Sequence, residues 1–338
     1  MLARDEADAV IAWLASAGLG DGPWRLEPLA GGTQNLMLRA TAGERRVVVR
    51  SGPRHLRTGS NAAIEREIRV LGALAPTDVP HPRLLATAPV DGVLPGRVVY
   101  AMAEVPGVNV TTGLSPAQEA DPALRHGLGP AMVDALAALH AVDVDAVGLG
   151  DVGRPQGFLA RQVPRWRDEL ARYREVEHYP GFGDDTDDVT DWLERHRPTS
   201  GPPALAHGDF HLANVLFDPG RAAVTAVVDW EMATVADPLL DLGWLLATWP
   251  ASGSALGWAP IEGLAGEDEL VTRYAGRTGT DPSAVPWYAV MACFKLGVLL
   301  EGTHARACAG RAPEDVGARM HASARSLVAQ ARERIARA

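Results

Sequence analysis

"LAHGDFHLANVLFD", residues 205–218, sets two histidines, two aspartates and an asparagine between apolar flanks. Two chemistries fit this spelling. On an extended chain His207, Asp209 and His211 share one face and can hold a metal ion for hydrolysis. Alternatively, Asp209 accepts a proton and Asn214 holds magnesium during phosphoryl transfer. The fragment leaves both open, and the rest of the chain has to separate them.

With 338 residues, 47% hydrophobic and 22% charged, the composition is that of an ordinary globular protein of one large or two modest domains. A formal charge of −10 speaks against a nucleic-acid or anionic-membrane surface. Cys293 and Cys308 are the only cysteines, too few for a metal-ligand spacing or a disulfide framework. The start, "MLARDEADAVIAWLASAG", is too acidic for a signal peptide. The apolar stretch "WYAVMACFKLGVLLEG" is interrupted by Lys295 and is expected to fall short of a membrane span. A cytoplasmic location is the expectation. Lys295 is also the only lysine, so any mechanism that needs one has a single candidate.

Outward from the opening stretch, the N-terminal third is rich in strand patterns. A helix over residues 5–17 places Val10, Ile11 and Leu14 at helical spacing. "WRLEPLA" and "NLMLRAT" flank Gly31-Gly32, and "AGE" turns into "RRVVVR". "NAAIEREIRVLGALAP" reads as a helix opened by Asn61, with Ile64, Ile68, Leu71 and Ala75 on one stripe. "RLLATAPV" and "GRVVYAMAEV" complete a sheet of about five strands. Pro106-Gly107 then breaks the pattern. Helical patterns dominate beyond it, at 123–143, 157–177, 184–196, 238–249, 267–278, 285–307 and 314–336, with Pro164 tolerated only by a kink or break. Two short apolar runs, "NVLF" and "AVTAVVD", lie between.

This α+β layout predicts a small β-rich N-lobe over 1–103, a hinge near 101–107, and a larger, mainly helical C-lobe over 104–338. Phosphoryl transfer needs little covalent help from the protein; it needs positioning and neutralisation of charge. The segments "LAGGTQN", "VVVRSGP", "EREIRVLGAL", "YAMAEVPG", "AALHAVD", "HGDFHLANVLF" and "VVDWEMATVADPLLDLGWL" resemble the aminoglycoside phosphotransferase/choline kinase-like family, of protein-kinase-like two-lobed fold. "GFLARQVPRWRDEL" resembles the branch that includes actinobacterial phosphotransferases and the kinase-like portions joined to some acyl-CoA dehydrogenases.

The resemblance implies a small-molecule kinase using ATP, with GTP also admissible, and magnesium. Asp209 would accept the proton of the substrate hydroxyl, and Asn214 with Asp229 would hold the metal. Gly31, Gly32, Thr33 and Asn35 would approach the phosphates, although the loop is short of glycines for a phosphate-binding pattern. The family's strand lysine is absent, and Arg50 stands in its place; a guanidinium holds phosphate bidentately. Glu67 at the edge of its helix's apolar stripe can turn toward Arg50, with Glu65 as second choice. Ala101, Met102 and Ala103 would meet adenine through backbone groups. His207 and His211 would brace the loop, Glu231 offers a further carboxylate, and Asp237 and Asp241 would anchor the following helix. Trp244 reads as core, and Lys295 as remote from the phosphates. Two rivals stand beside this reading: a catalytically silent nucleotide-binding protein of the same fold and, more distantly, the hydrolase built on His207, Asp209 and His211. The acceptor is open. "GDDTDD" with Glu175 and Glu177 suits a cationic acceptor such as an aminoglycoside or amino alcohol, and "RQVPRWRDELARYR" an anionic one such as a hydroxyacyl thioester.

Overall fold

The computed structural model describes residues 2–20, 22–29, 35–53, 59–183, 186–250, 256 and 258–338. The chain forms two compact units, Met1–Gly107 joined by Thr225–Ala233, and Val108–Val224 joined by Thr234–Ala338. The short segment carrying Asp229 and Glu231 thus groups with the N-terminal part.

In the first unit, α1 (Arg4–Ser16) precedes β1 (Arg25–Pro28), β2 (Leu36–Ala42) and β3 (Arg45–Ser51). Then come α2 (Ser60–Leu74), β4 (Leu84–Ala88) and β5 (Val99–Ala103). The strands make one antiparallel sheet in the order β1-β2-β3-β5-β4. Ala42 pairs with Arg45, leaving a two-residue turn whose first residue, Gly43, sits at φ +61°, where glycine has no side chain to clash. Strand alternation sorts the β3 side chains. Val47 and Val49 pack with Leu38, Ala40, Val99 and Ala101 against Val10 and Leu14 of α1, while Val48 and Arg50 take the opposite face.

Helix α2 departs from expectation in a telling way. Its buried residues are Ile64, Glu67, Val70, Leu71 and Leu74; Ile68 is half-buried and Ala75 is exposed beyond the helix end. Glu67 therefore lies within the buried stripe, not at its edge. Nor does Asn61 open the helix, since the N-cap is Gly59. The Asn61 amide instead donates to Gly96 O and accepts from Val98 N–H, tying α2 to the approach of β5.

The second unit is helical: α3 (Pro116–Ala120), α4 (Pro122–His140), α5 (Phe158–Tyr173) and α6 (Asp187–Arg195) come first. Between α6 and α7 (Leu239–Thr248) the chain passes through β6 (Ala204–Ala206), β7 (Val215–Phe217), β8 (Val224–Val227), which from Thr225 onward belongs to the first unit, and β9 (Thr234–Ala236). α8 (Glu267–Thr278), α9 (Val285–Cys308) and α10 (Glu314–Arg337) complete the chain. Helix α5 runs without a break through Pro164. β6 pairs antiparallel with β9, and Phe217 in β7 exchanges backbone hydrogen bonds with Val108. These short ladders frame the loop from His207 to Asn214.

Helix α9 packs against α5, α6, α7 and α10. Contrary to expectation, the helical stretch Pro282–Cys308 is long and apolar enough to cross a membrane, but 67% of its most apolar window is buried within the protein. One close contact is with Gly243 of α7, where a Cβ would lie 2.5 Å from the Tyr288 carbonyl carbon. Replacing Gly243 by Ala is expected to push these helices apart at a cost of about 1–3 kcal/mol, read from denaturant unfolding. Unchanged stability would contradict this packing.

Candidate active site

In the second unit the loop that follows β6 is fixed from beneath by Asp241, in the first turn of α7. Its carboxylate accepts the N–H of His207 (2.6 Å) and of Gly208 (2.8 Å). His140 stands 3.3 Å away through Nε2 and is held at Nδ1 by the Tyr274 hydroxyl, 2.7 Å distant. Asp241 is 1% exposed. Burial alone would raise its pKa, but the His140 hydrogen bond, the nearby histidines and the Gly208 amide hold it below the ordinary value. Gly208 takes φ +83°, so the chain turns at once after His207. Asp237 accepts from Leu239 N–H, Ser200 Oγ and Gly201 N–H, pinning the start of α7.

The turn presents Asp209. Its Oδ1 accepts from the Trp244 indole N–H (2.9 Å) and faces His211 Nε2 at 3.2 Å. Its Oδ2 accepts from the Asn214 amide at 3.0 Å, and the same amide also donates to the Asp209 carbonyl at 2.9 Å. Burial would raise this carboxyl, yet His211's hydrogen bond and charge, with His207 and Lys295 behind it, hold it well below the usual range. Asp209 is thus an ionised carboxylate in fixed orientation.

This geometry corrects the hydrolase reading. His207, Asp209 and His211 do not line one face of an extended strand, because the chain turns at Gly208. His207 is fully buried, lies edge-on to Phe210, and has its Nδ1 3.3 Å from the Asp209 backbone N–H. Its ring is used within the loop. His211 leans toward Trp258, with ring centroids 5.5 Å apart.

In the first unit a second cluster forms around Arg50, which is 3% exposed. Its guanidinium donates to Glu67 (3.0 Å), Asp229 (2.6 Å) and Glu231 (3.2 Å). The planar guanidinium spreads these carboxylates over two terminal nitrogens in a fixed geometry, which the compact ammonium of a lysine does not impose. Asp229 follows β8 and adopts φ +68°, rare for a side chain other than glycine. The next residue, Trp230, donates its backbone N–H to Glu67 at 3.2 Å, and Val227 N–H binds Pro80 O at 2.8 Å. Glu231 accepts from Asn35 at 2.7 Å, while its carbonyl accepts from Arg66. The Asn35 amide is therefore committed to Glu231. Burial raises Glu67 to about 7, with Arg50 opposing and Asp229 adding to the rise.

Other expected residues fall elsewhere. Gly31, Gly32 and Thr33 lie outside the described residues. Ala101, Met102 and Ala103 belong to β5, which is flanked on one side by β3 and on the other by β4. Their backbone groups serve the sheet; Ala103 N–H, for example, binds Arg83 O at 2.9 Å. The first backbone beyond the ladder is that of Glu104. Trp244, expected as core, donates its indole N–H to the Asp209 carboxylate. Lys295, expected as remote, stands over the Trp244 ring at 4.4 Å. The spacing of Asp241 and Trp244, three apart on one helix face, could have flagged the tryptophan. Nothing in the apolar run around Lys295 marked the lysine except its uniqueness.

Taken one by one, the two expected metal ligands, one in each unit, suit magnesium. The Asn214 amide nitrogen is engaged by Asp209, which leaves its carbonyl oxygen without a donor among the described residues. One oxygen of Asp229 binds Arg50 and the other has no hydrogen bond among the described residues. Each residue therefore keeps one hard oxygen of the kind magnesium prefers.

Residues 25–288 match the family model described as "Phosphotransferase enzyme family". The chain belongs to that family. This phosphotransferase is 30% identical over 299 residues to acyl-CoA dehydrogenase family member 10 of Mus musculus, covering 86% of the chain and 27% of that protein. It is 32% identical over 260 residues to family member 11 of Rattus norvegicus, covering 72% of the chain and 31% of that protein. The chain thus spans under a third of the length of these curated relatives. Among solved structures, a candidate aminoglycoside phosphotransferase from Ralstonia eutropha JMP134 superposes with a TM-score of 0.77 at 30% identity, over 97% of this chain and 98% of that one. A thermostable mutant of an aminoglycoside phosphotransferase in ternary complex with ADP and hygromycin B (TM-score 0.57, 17% identity, 93% and 97% coverage) shares the fold alone. The fold is the α+β, protein-kinase-like one, with a small antiparallel sheet in the N-terminal part and a helical C-terminal part.

The buried Arg50 cluster makes the phosphotransferase's stability depend on pH. Glu67 titrates near 7 when folded, against an ordinary 4.5, so the folded chain keeps a proton that the unfolded chain releases between those values. Stability from this group is complete below the lower value and is lost as pH rises through the upper one. Relative to Glu67→Gln, the wild type should lose stability from about pH 5 to about pH 8 in denaturant melts without nucleotide. Parallel curves would contradict it.

Proposed function

We propose that this phosphotransferase moves the γ-phosphoryl group of ATP, with magnesium, to a hydroxyl of a small molecule. The carrying observation is the Asp209 carboxylate, ionised and oriented by Trp244, His211 and Asn214. An acceptor hydroxyl hydrogen-bonded to that carboxylate is aimed at the phosphorus. The proton passes to Asp209 as the new O–P bond forms, and the nucleoside diphosphate leaves. A base held below the ordinary carboxylate range takes the proton late, which suits a loose transition state whose nucleophile keeps its proton until the bond to the leaving group is nearly broken.

Arg50 serves the nucleotide phosphates and Glu67 holds Arg50 in place. Magnesium, when bound, neutralises phosphate charge, and Asn214 and Asp229 are the residues that would hold it. The ADP complex of that aminoglycoside phosphotransferase mutant supports nucleotide use, and GTP in place of ATP fits the same reading. The acceptor is an aminoglycoside-like compound, an amino alcohol or a hydroxyacyl compound. The net charge of −10 supports a freely diffusing, cytoplasmic small-molecule partner over nucleic acid or a membrane surface.

Asp209→Asn keeps the side chain's size but cannot accept a proton. We expect transfer to fall by at least about 100-fold, the usual scale of general-base catalysis, with ATP affinity within a few fold. Turnover with a saturating acceptor, set beside calorimetric ATP titrations, checks this. Retained turnover would remove Asp209 from its role. The metal assignment has its own test. ATP affinity should rise with magnesium in the wild type and much less so in Asp229→Ala; the same magnesium response in both proteins would sink it.

A further inference from the structure

Lys295 is the chain's only lysine, and its surroundings are unusual for a core lysine. It projects from α9, half-buried, with Nζ 4.4 Å from the Trp244 ring centroid and 5.9 Å from that of Trp166. The same Trp244 indole that carries the ammonium on its face points its N–H at Asp209 Oδ1. Among the described residues the ammonium has no hydrogen-bond acceptor and no ion-pair partner within 4.0 Å. Aromatic faces attract a cation, but they leave its three N–H donors unused. Asp209 acts on the ammonium only through its charge; no hydrogen bond runs from Lys295 to its oxygens, which accept from Trp244 and Asn214 and face His211.

A second observation points the same way. Arg165 lies over the Trp166 ring at 4.9 Å, so that one indole carries two like charges, and Arg165 and Lys295 repel each other. Burial, with Arg165 adding to it, lowers the Lys295 pKa, while Asp209 and Asp241 oppose the fall. Arg165 also lines a groove of about 530 Å³ with Arg154 and Arg161, where Asp151 is the one acidic side chain. Arg161 is occupied by the carbonyls of Gln156 and Arg154. Two cations gathered at one aromatic ring would be relieved by an anion brought in from outside.

We propose that Lys295 is an acceptor-binding residue whose ammonium takes an anionic group, a carboxylate or a phosphate, carried by the acceptor near the hydroxyl presented to Asp209. The site then selects anionic hydroxyl compounds and disfavours polycationic ones, for which a cation at this place is repulsive. The assignment rests on the phosphotransferase reading for the hydroxyl, while the anion site itself can be tested without turnover.

Labelling a lysine-tag-free protein with [13Cε]lysine gives one lysine signal, that of Lys295. It is followed without nucleotide during titration with D-glycerate or glycerol 3-phosphate as anionic probes, with glycerol as the neutral probe and kanamycin as the polycationic one. An anionic probe should move the signal saturably, and glycerol and kanamycin should leave it in place. Lys295→Met, which keeps the stem on Trp244, should weaken calorimetric binding of that probe at least tenfold at unchanged thermal stability, and Lys295→Arg should restore much of it. A signal unmoved by both anions, or kanamycin bound and phosphorylated equally by wild type and Lys295→Met, overturns the proposal. The second of these would leave the phosphotransferase reading standing. Anion binding at Lys295 with no phosphoryl transfer to any hydroxyl compound would do the reverse, supporting the anion site and removing the kinase reading.

Discussion

Two backbone amides and one carboxylate hold the loop from His207 to Asn214 in place. Asp241 receives the N–H groups of His207 and Gly208, and those two bonds decide where the chain turns and hence where Asp209 points. A carboxylate this deeply buried is costly unless it is hydrogen-bonded, and His140 with Tyr274 completes its shell. Because Asp241 sits on α7, the loop inherits the rigidity of a helix packed into the core. Trp244, one turn further along that helix, reaches the Asp209 carboxylate directly. One helix therefore sets both the backbone path and the side-chain orientation of the loop.

The cluster in the first unit follows a different logic. Three carboxylates share one guanidinium, so the group as a whole carries excess negative charge in a buried setting. Burial raises Glu67, Asp229 adds to the rise and Arg50 opposes it, while Asp229 itself accepts from Arg50. Arg50 holds Glu67, Asp229 and Glu231 together through its two terminal nitrogens, in the fixed geometry of a planar guanidinium.

Much of this could be read in the sequence because periodicity and local spelling carry it. The sheet strands and the long helices after residue 238 come from short-range patterns, whereas Asp209, Asn214 and Asp229 stand out by local spelling and by the family resemblance. What escaped were contacts across elements. Glu67 was placed at the edge of a stripe because helical spacing alone cannot say that a carboxylate is buried by an arginine from another strand. Asn61 looked like a cap because asparagine usually is one, and tertiary hydrogen bonds to Gly96 and Val98 claimed it instead. Trp244 and Lys295 sit in apolar helices, where bulk suggests core, and only the packing of α7 on α9 brings them to Asp209.

The central claim is that Asp209 acts as a proton acceptor in a single direct transfer. Its most direct test is the stereochemistry at phosphorus, using ATP made chiral at the γ-phosphoryl group with oxygen isotopes and an acceptor that turns over. Direct attack by the acceptor hydroxyl, with Asp209 taking the proton, predicts inversion of configuration. Retention requires two displacements through a phosphorylated side chain and would contradict the account.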